Sequence, residues 1–217
     1  MYSAPVSPRF RGLILDFVGV LTTEVGPSLR RWCVSQGLPA HAWSHTLGRH
    51  PEGRRLYQEL EAGRLAQAEW NRLTAPLLQV EDHDNLMGRV WAQAQPAAEM
   101  IELARAARRA GLRTAVLSNS FGRDPYDPYQ VLGVSGLCEV TVLSEVEGIA
   151  KPDPLIYQRT VERLGLDSTE CVFVDDHPDN LTPAQELGIT TVHADGSPGL
   201  AQRVAKLLGL GPTQEST

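Results

Sequence analysis

An apolar run, Leu13-Ile14-Leu15, delivers a carboxylate, Asp16, at its C-terminal end, and Gly19 follows at once. A short apolar run closed by a turn signal reads as a fully buried strand. An acid at the end of such a strand has left the core yet stands on a rigid support, and open α/β sheets place their chemistry at that edge. Asp16 is therefore the first candidate functional residue.

After position 96 the theme repeats. Runs at Thr114–Leu117, Val140–Leu143, Cys171–Val174 and Ile189–Val192 read as strands. They alternate with helical spacings at Pro96–Ala110, Pro154–Leu164, Pro178–Leu187 and Pro198–Leu208, the first three closed by Gly111, Gly165 and Gly188. This alternation predicts an α/β fold, a parallel sheet flanked by helices. Residues 22–95 have another texture, with helical spacing throughout and no strand. Helices are expected at Pro27–Gln36, Pro39–Leu47, Pro51–Glu61, Ala66–Leu78 and His83–Ala94. The expected organisation is a core of 1–21 and 96–211, an inserted all-helical domain at 22–95, and a flexible tail at 212–217.

Composition bounds the partners. With 217 residues, 42% of them hydrophobic, the chain can bury a core and carry an insert. A formal charge of −6 argues against nucleic acid or an anionic membrane as the main partner. No apolar run has the length to span a bilayer. The start, Met1-Tyr2-Ser3-Ala4-Pro5, lacks the features of a signal peptide, and Cys33, Cys138 and Cys171 read as reduced, buried thiols. Both point to the cytoplasm.

Four groups stand at or just beyond strand ends: Asp16, Ser118-Asn119, Lys151 and Asp175-Asp176. In a parallel sheet all C-terminal ends share one edge, so these groups can converge. Clustered carboxylates repel one another, and a bound cation relieves that repulsion. Oxygen donors with no Cys or His beside them favour Mg²⁺ over zinc.

Together these stretches resemble the four motifs of the haloacid dehalogenase (HAD) superfamily, over essentially the whole chain. The matches are Asp16-Phe17-Val18-Gly19-Val20-Leu21-Thr22, Val116-Leu117-Ser118-Asn119, Lys151-Pro152-Asp153-Pro154, and Phe173-Val174-Asp175-Asp176 through Asn180. The resemblance implies a Rossmann-like core and makes residues 22–95 a helical cap of the C1 type. Within the superfamily the chain looks most like the sugar-phosphate phosphatases and the phosphatase domain of soluble epoxide hydrolase. A small phosphorylated metabolite is the implied partner. Asp16 is then the nucleophile, forming an aspartyl-phosphate that water hydrolyses. Mg²⁺ is held by Asp16, the backbone carbonyl of Val18 and Asp176, with Asp175 in support, the order of the two acids staying open. Ser118, Asn119 and Lys151 bind the phosphoryl oxygens.

One position departs from the pattern. Most phosphatases of the superfamily carry a second Asp two residues after the nucleophile, as general acid and base, and here it is Val18. A carbonyl for the metal survives that change, but the proton shuttle does not, a loss typically worth about 10²–10⁴ in rate. Three readings follow: substrates with good leaving groups, a substitute shuttle for which His177 is the nearest candidate, or a weakened or non-catalytic phosphate-binding protein. The metal-independent dehalogenases also lack the second Asp, but they have no use for the pair Asp175-Asp176.

Elsewhere the plainer readings are favoured. His41 and His45 lie one turn apart with no third ligand, and Trp32, Trp43, Trp70 and Trp91 read as core of the insert. The loop Arg123 to Tyr129 follows the second motif and can bring Arg123 or a Tyr toward a substrate.

Overall fold

The computed structural model describes residues 9–211. The expectations for Met1 to Pro5 and for a tail at 212–217 lie outside the described residues. In chain order the elements are β1 (Gly12–Leu15), β2 (Thr22–Thr23), α1 (Val25–Ser35), α2 (Ala42–Gly48), α3 (Pro51–Glu61), α4 (Gln67–Thr74), α5 (Leu86–Val90) and β3 (Gln95–Pro96). Then come α6 (Ala98–Arg109), β4 (Arg113–Ser118), α7 (Pro128–Val131), β5 (Val140–Leu143), α8 (Ser144–Glu147) and α9 (Pro154–Leu164). The chain closes with β6 (Cys171–Asp175), α10 (Pro178–Glu186), β7 (Thr190–His193) and α11 (Leu200–Leu207).

Five strands form a parallel sheet in the order β5-β4-β1-β6-β7. The apolar runs dictate this, because alternate side chains point to opposite faces and both faces are buried. Ile14, Ala115, Leu117, Val142 and Phe173 pack with α9 and α10 on one side. Leu13, Leu15, Val116, Val172 and Val174 face α6, α11 and the insert on the other. The Rossmann-like α/β architecture expected from the sequence is the one observed. Among the described residues no helix is long and apolar enough to cross a membrane.

The insert departs from expectation in two ways. The sequence predicted no strand between 22 and 95, yet β2 pairs antiparallel with β3, Thr22 opposite Pro96 and Thr23 opposite Gln95. A two-residue strand carries no readable periodicity. This ribbon ties together the two points where the chain enters and leaves the helices. Three of its helices, α2, α4 and α5, are also shorter than predicted. Pro76, lacking an N–H, ends the expected 66–78 helix at Thr74, and Pro76–Leu78 continues as a 3₁₀ turn. The expected 83–94 helix contracts to Leu86–Val90, because Asn85 takes a left-handed backbone, φ 44°. Trp32, Trp43, Trp70 and Trp91 are buried as expected and share a cluster with Phe17 and Val116 of the sheet layer. The three cysteines are buried and unbridged.

Candidate active site

Register sets the two central acids side by side. Leu15 pairs with Val116 on one side and Val174 on the other. The next residues, Asp16 and Asp175, therefore stand side by side at the C-terminal edge of the sheet, Asp175 as the last residue of β6. The Asp16 N–H donates to the Val174 carbonyl at 2.9 Å, which fixes the backbone as the nucleophile candidate emerges.

Lys151 lies between the acids. Its Nζ is 2.7 Å from Asp16 Oδ1 and 2.6 Å from Asp175 Oδ2, and all three side chains are buried. Burial pulls the ammonium down, but Asp16 and Asp175 outweigh it and hold Lys151 above its ordinary value. Burial pushes the Asp16 carboxyl up, with Lys151 pulling against that rise and Asp175 adding to it. One cation between two carboxylates leaves a net negative charge in a dry place.

The paired acids then part company. Asp175 Oδ1 accepts from the His177 N–H at 2.8 Å and from Asn180 Nδ2 at 3.0 Å, while Oδ2 takes Lys151. Its acceptor capacity is largely committed to protein donors. Asp176 is exposed and lines the cavity beside Asp16. Burial, and then Asp175, raise the Asp176 carboxyl. Oxygens of Asp16, Asp175 and Asp176 lie within 4.8 Å of one another. A hard, all-oxygen donor set of this compactness, three acids against the single ammonium of Lys151, fits Mg²⁺.

The turn after Asp16 brings Val18 to the same place. Leu21 N donates to Phe17 O at 2.9 Å, Thr22 Oγ1 donates to the same carbonyl at 3.2 Å, and Gly19 N donates to Thr22 Oγ1 at 3.2 Å. Gly19 sits at φ 75°, and a Cβ there would collide with the Asp176 carboxylate. Glycine is thus required twice over.

The cavity at this edge has a volume of 410 Å³ and is lined by Asp16, Val18, Asn119, Lys151, Asp176 and His177, among others. Asp175 is left out of that lining, and so, among the phosphate-binding candidates, is Ser118. It is buried, and its Oγ accepts from the Tyr129 hydroxyl at 2.9 Å. Asn119 lines the cavity, but its side chain is committed to the backbone of Lys151. His177 is exposed at the rim. Tyr126 and Tyr129 are buried, Tyr129 against Phe17 with ring centroids 4.4 Å apart, while Arg123 is exposed outside the cavity lining. His41 and His45 are exposed on the insert and belong to no acidic or thiol cluster among the described residues.

Two residues of the insert complete the wall, Tyr57 and Glu61, which the sequence reading passed over. Both lie on α3, four residues apart and hence on one helix face. The only sequence signal is that spacing. Nothing in the chain announces which face of an inserted helix turns toward the sheet edge.

The model of the haloacid dehalogenase-like hydrolases matches residues 10–188. Among curated proteins, the chain is 39% identical over 102 residues to acyl-CoA dehydrogenase family member 10 of Mus musculus, covering 47% of this chain and 9% of that protein. It is 33% identical over 143 residues to phosphatase MT3486 of Mycobacterium tuberculosis, covering 65% and 59%. The chain thus spans less than two thirds of the length of either relative. Among solved structures, a HAD family enzyme from Bacteroides thetaiotaomicron in complex with magnesium and inorganic phosphate superposes with a TM-score of 0.62 at 22% identity, over 85% of this chain and 93% of that one. A dehalogenase structure gives 0.69 at 20% identity over 95% and 100%. These likenesses establish a shared fold. Taken with the family match over most of its length, they show that this chain belongs to the haloacid dehalogenase-like hydrolases.

Proposed function

We propose that the chain is a Mg²⁺-dependent phosphatase of small phosphorylated metabolites that works through an aspartyl-phosphate on Asp16. The observation that carries this reading is Lys151 bridging Asp16 and Asp175 beside the free carboxylate of Asp176. A dehalogenase working without metal has no need of that acid. Phosphatase names among the relatives agree.

In this reading residues 22–95 are the cap, which closes over the sheet edge and selects the substrate. The donors left over for Mg²⁺ are Asp16, the Val18 carbonyl and Asp176, with Asp175 in support; the ion supplies charge neutralisation between nucleophile and phosphate. Lys151 holds one Asp16 oxygen and leaves the other to attack phosphorus. Phosphoryl oxygens then meet Lys151 and the backbone amide of Asn119, while Ser118 holds the strand end through Tyr129. Phosphoryl transfer asks mainly for such positioning and charge compensation. Position 18 contributes no proton, so the leaving oxygen either departs unaided, as from an anomeric or acyl phosphate, or is protonated by another group. The three buried cysteines suit a reducing, cytoplasmic setting.

The test is phosphate release from a panel of phosphorylated metabolites, with Mg²⁺ and with EDTA. Release that needs Mg²⁺ is expected. No release above background from any ester, anomeric or acyl phosphate would refute a phosphatase, and release unaffected by EDTA would refute the metal.

A further inference from the structure

Val18 leaves the reaction without its usual proton donor, and the cavity wall opposite the sheet holds a carboxyl group with no hydrogen-bond or ion-pair partner among the described residues. Glu61 is the last residue of α3, half-buried, and lines the same cavity as Asp16 and Lys151. The cation nearest along the chain, Arg64, is taken by Glu59 at 2.7 Å. The groups that face Glu61 across the cavity are Asp16, Lys151, Asp176, His177 and Asp179, with Tyr57 one turn back on its own helix.

Glu61 is also held in place. Gly63, two residues on, lies so close to the Glu145 carbonyl that no Cβ fits there. Gln67 then anchors the start of α4: its side-chain amide is 3.1 Å from Phe121 O, 3.2 Å from Gly122 O and 3.0 Å from Tyr126 O, and Tyr126 N donates back to Gln67 Oε1 at 2.9 Å. On the other side, Tyr57 packs on Trp70 with centroids 6.1 Å apart. These contacts fix the end of α3 over the sheet edge. A general acid must be positioned before its acidity matters.

We propose that Glu61 is a catalytic residue, the proton donor and acceptor that replaces the acid missing at Val18. This rests on the phosphatase reading above. As Asp16 attacks phosphorus and the bond to the leaving oxygen breaks, the Glu61 carboxyl gives its proton to that oxygen and becomes a carboxylate. As water attacks the aspartyl-phosphate, Glu61 takes a proton from the water, the Asp16–phosphorus bond breaks, and inorganic phosphate leaves with both residues restored. Burial pushes the Glu61 carboxyl up to about 7, with Lys151 pulling against that rise. Its place at a helix C-terminus works in the same direction, because a negative charge there opposes the helix dipole. A group near 7 is suited to give and then take one proton at neutral pH. His177 is less suited, since it stands exposed at the rim, its ring 3.9 Å from the likewise exposed Asp179 carboxylate.

The experiment compares Glu61→Gln, His177→Ala and wild type on alkyl phosphates and on p-nitrophenyl phosphate, whose leaving group needs little protonation. Glu61→Gln is expected to lose about 10²–10⁴ in kcat on alkyl phosphates and under about tenfold on the nitrophenyl ester. Adding Val18→Asp to Glu61→Gln is expected to restore the alkyl rate in part. Equal losses on both substrate types, no loss, or a leaving-group-dependent loss in His177→Ala instead would overturn the assignment. A wild type that turns over neither substrate yet releases phosphate from anomeric or acyl phosphates would overturn the Glu61 assignment alone, and one that releases none from any of these would overturn the phosphatase reading as well.

Discussion

Asn119 clamps Lys151 by its backbone. The Lys151 N–H donates to Asn119 Oδ1 at 2.8 Å, and Asn119 Nδ2 donates to the Lys151 carbonyl at 2.9 Å. The amide at the end of β4 thus reads a main chain 32 positions further on as a strand neighbour would, and it delivers the ammonium to Asp16 and Asp175. Hydrogen bonds of this kind contribute about 1 kcal/mol each. Asn119→Ala is expected to lower stability by about 2–3 kcal/mol in urea unfolding and to reduce kcat together with it. Asn119→Asp keeps the acceptor but loses the donor, and should fall between.

Gln67 joins the insert to the core with one buried side chain. Its amide shares two protons among three carbonyls, and its oxygen accepts from Tyr126 N. Gln67→Leu retains bulk but strands those backbone groups, at about 1–3 kcal/mol for each buried group left without a partner. Faster amide hydrogen exchange in 121–126 and a raised KM are the expected outcomes. Unchanged exchange would mean that the insert is held elsewhere.

Gly19 is the narrowest point of the metal-binding proposal. At φ 75°, an alanine would pay about 1–2 kcal/mol in backbone strain, and its Cβ would displace the Asp176 carboxylate. Gly19→Ala should therefore raise the Mg²⁺ concentration needed for half-maximal activity more than it lowers thermal stability. Titration of activity against Mg²⁺ measures this directly.

Much of the fold was legible because buried strands leave a signature that surface does not. Leu13-Ile14-Leu15 and Cys171–Val174 are apolar on both faces, and that alone demands helices on both sides. Pro51–Glu61 and Pro154–Leu164 came out residue for residue, since a proline opens each and Gly165 stops the second. The ribbon of Thr22–Thr23 with Gln95–Pro96 was invisible, being two residues long with partners 72 and 74 positions away. That Asp16, Lys151 and the acidic pair come together at one edge could be read from their places at or beyond strand ends. The division of labour between Asp175 and Asp176 could not, because it depends on which carboxylate His177 N and Asn180 reach. Glu61 was hidden for the same reason: its importance comes from docking of the insert, which no local pattern encodes.

Burial of Glu61 also makes a statement about stability. Its carboxyl sits at about 7 in the folded chain, above the ordinary value, so the folded state holds a proton that the unfolded state has released. That contribution is fully present below about pH 4 and is lost as pH rises through about 7. Without added metal, Glu61→Gln should be more stable than wild type at pH 8 by about 1–3 kcal/mol, with the difference shrinking toward pH 5. Urea unfolding at the two pH values checks the sign, and a gap that grows toward acid would contradict it.

The covalent step on Asp16 is the heart of the proposed chemistry. Mixing enzyme, Mg²⁺ and a phosphate ester that it hydrolyses, quenching in acid within a turnover, and mapping peptides by mass locates the phosphoryl group. A phosphoryl mass on the peptide containing Asp16, absent in Asp16→Asn along with turnover, is the expected result. Phosphate release with no label on that peptide, or undiminished release from Asp16→Asn, would contradict a nucleophilic Asp16.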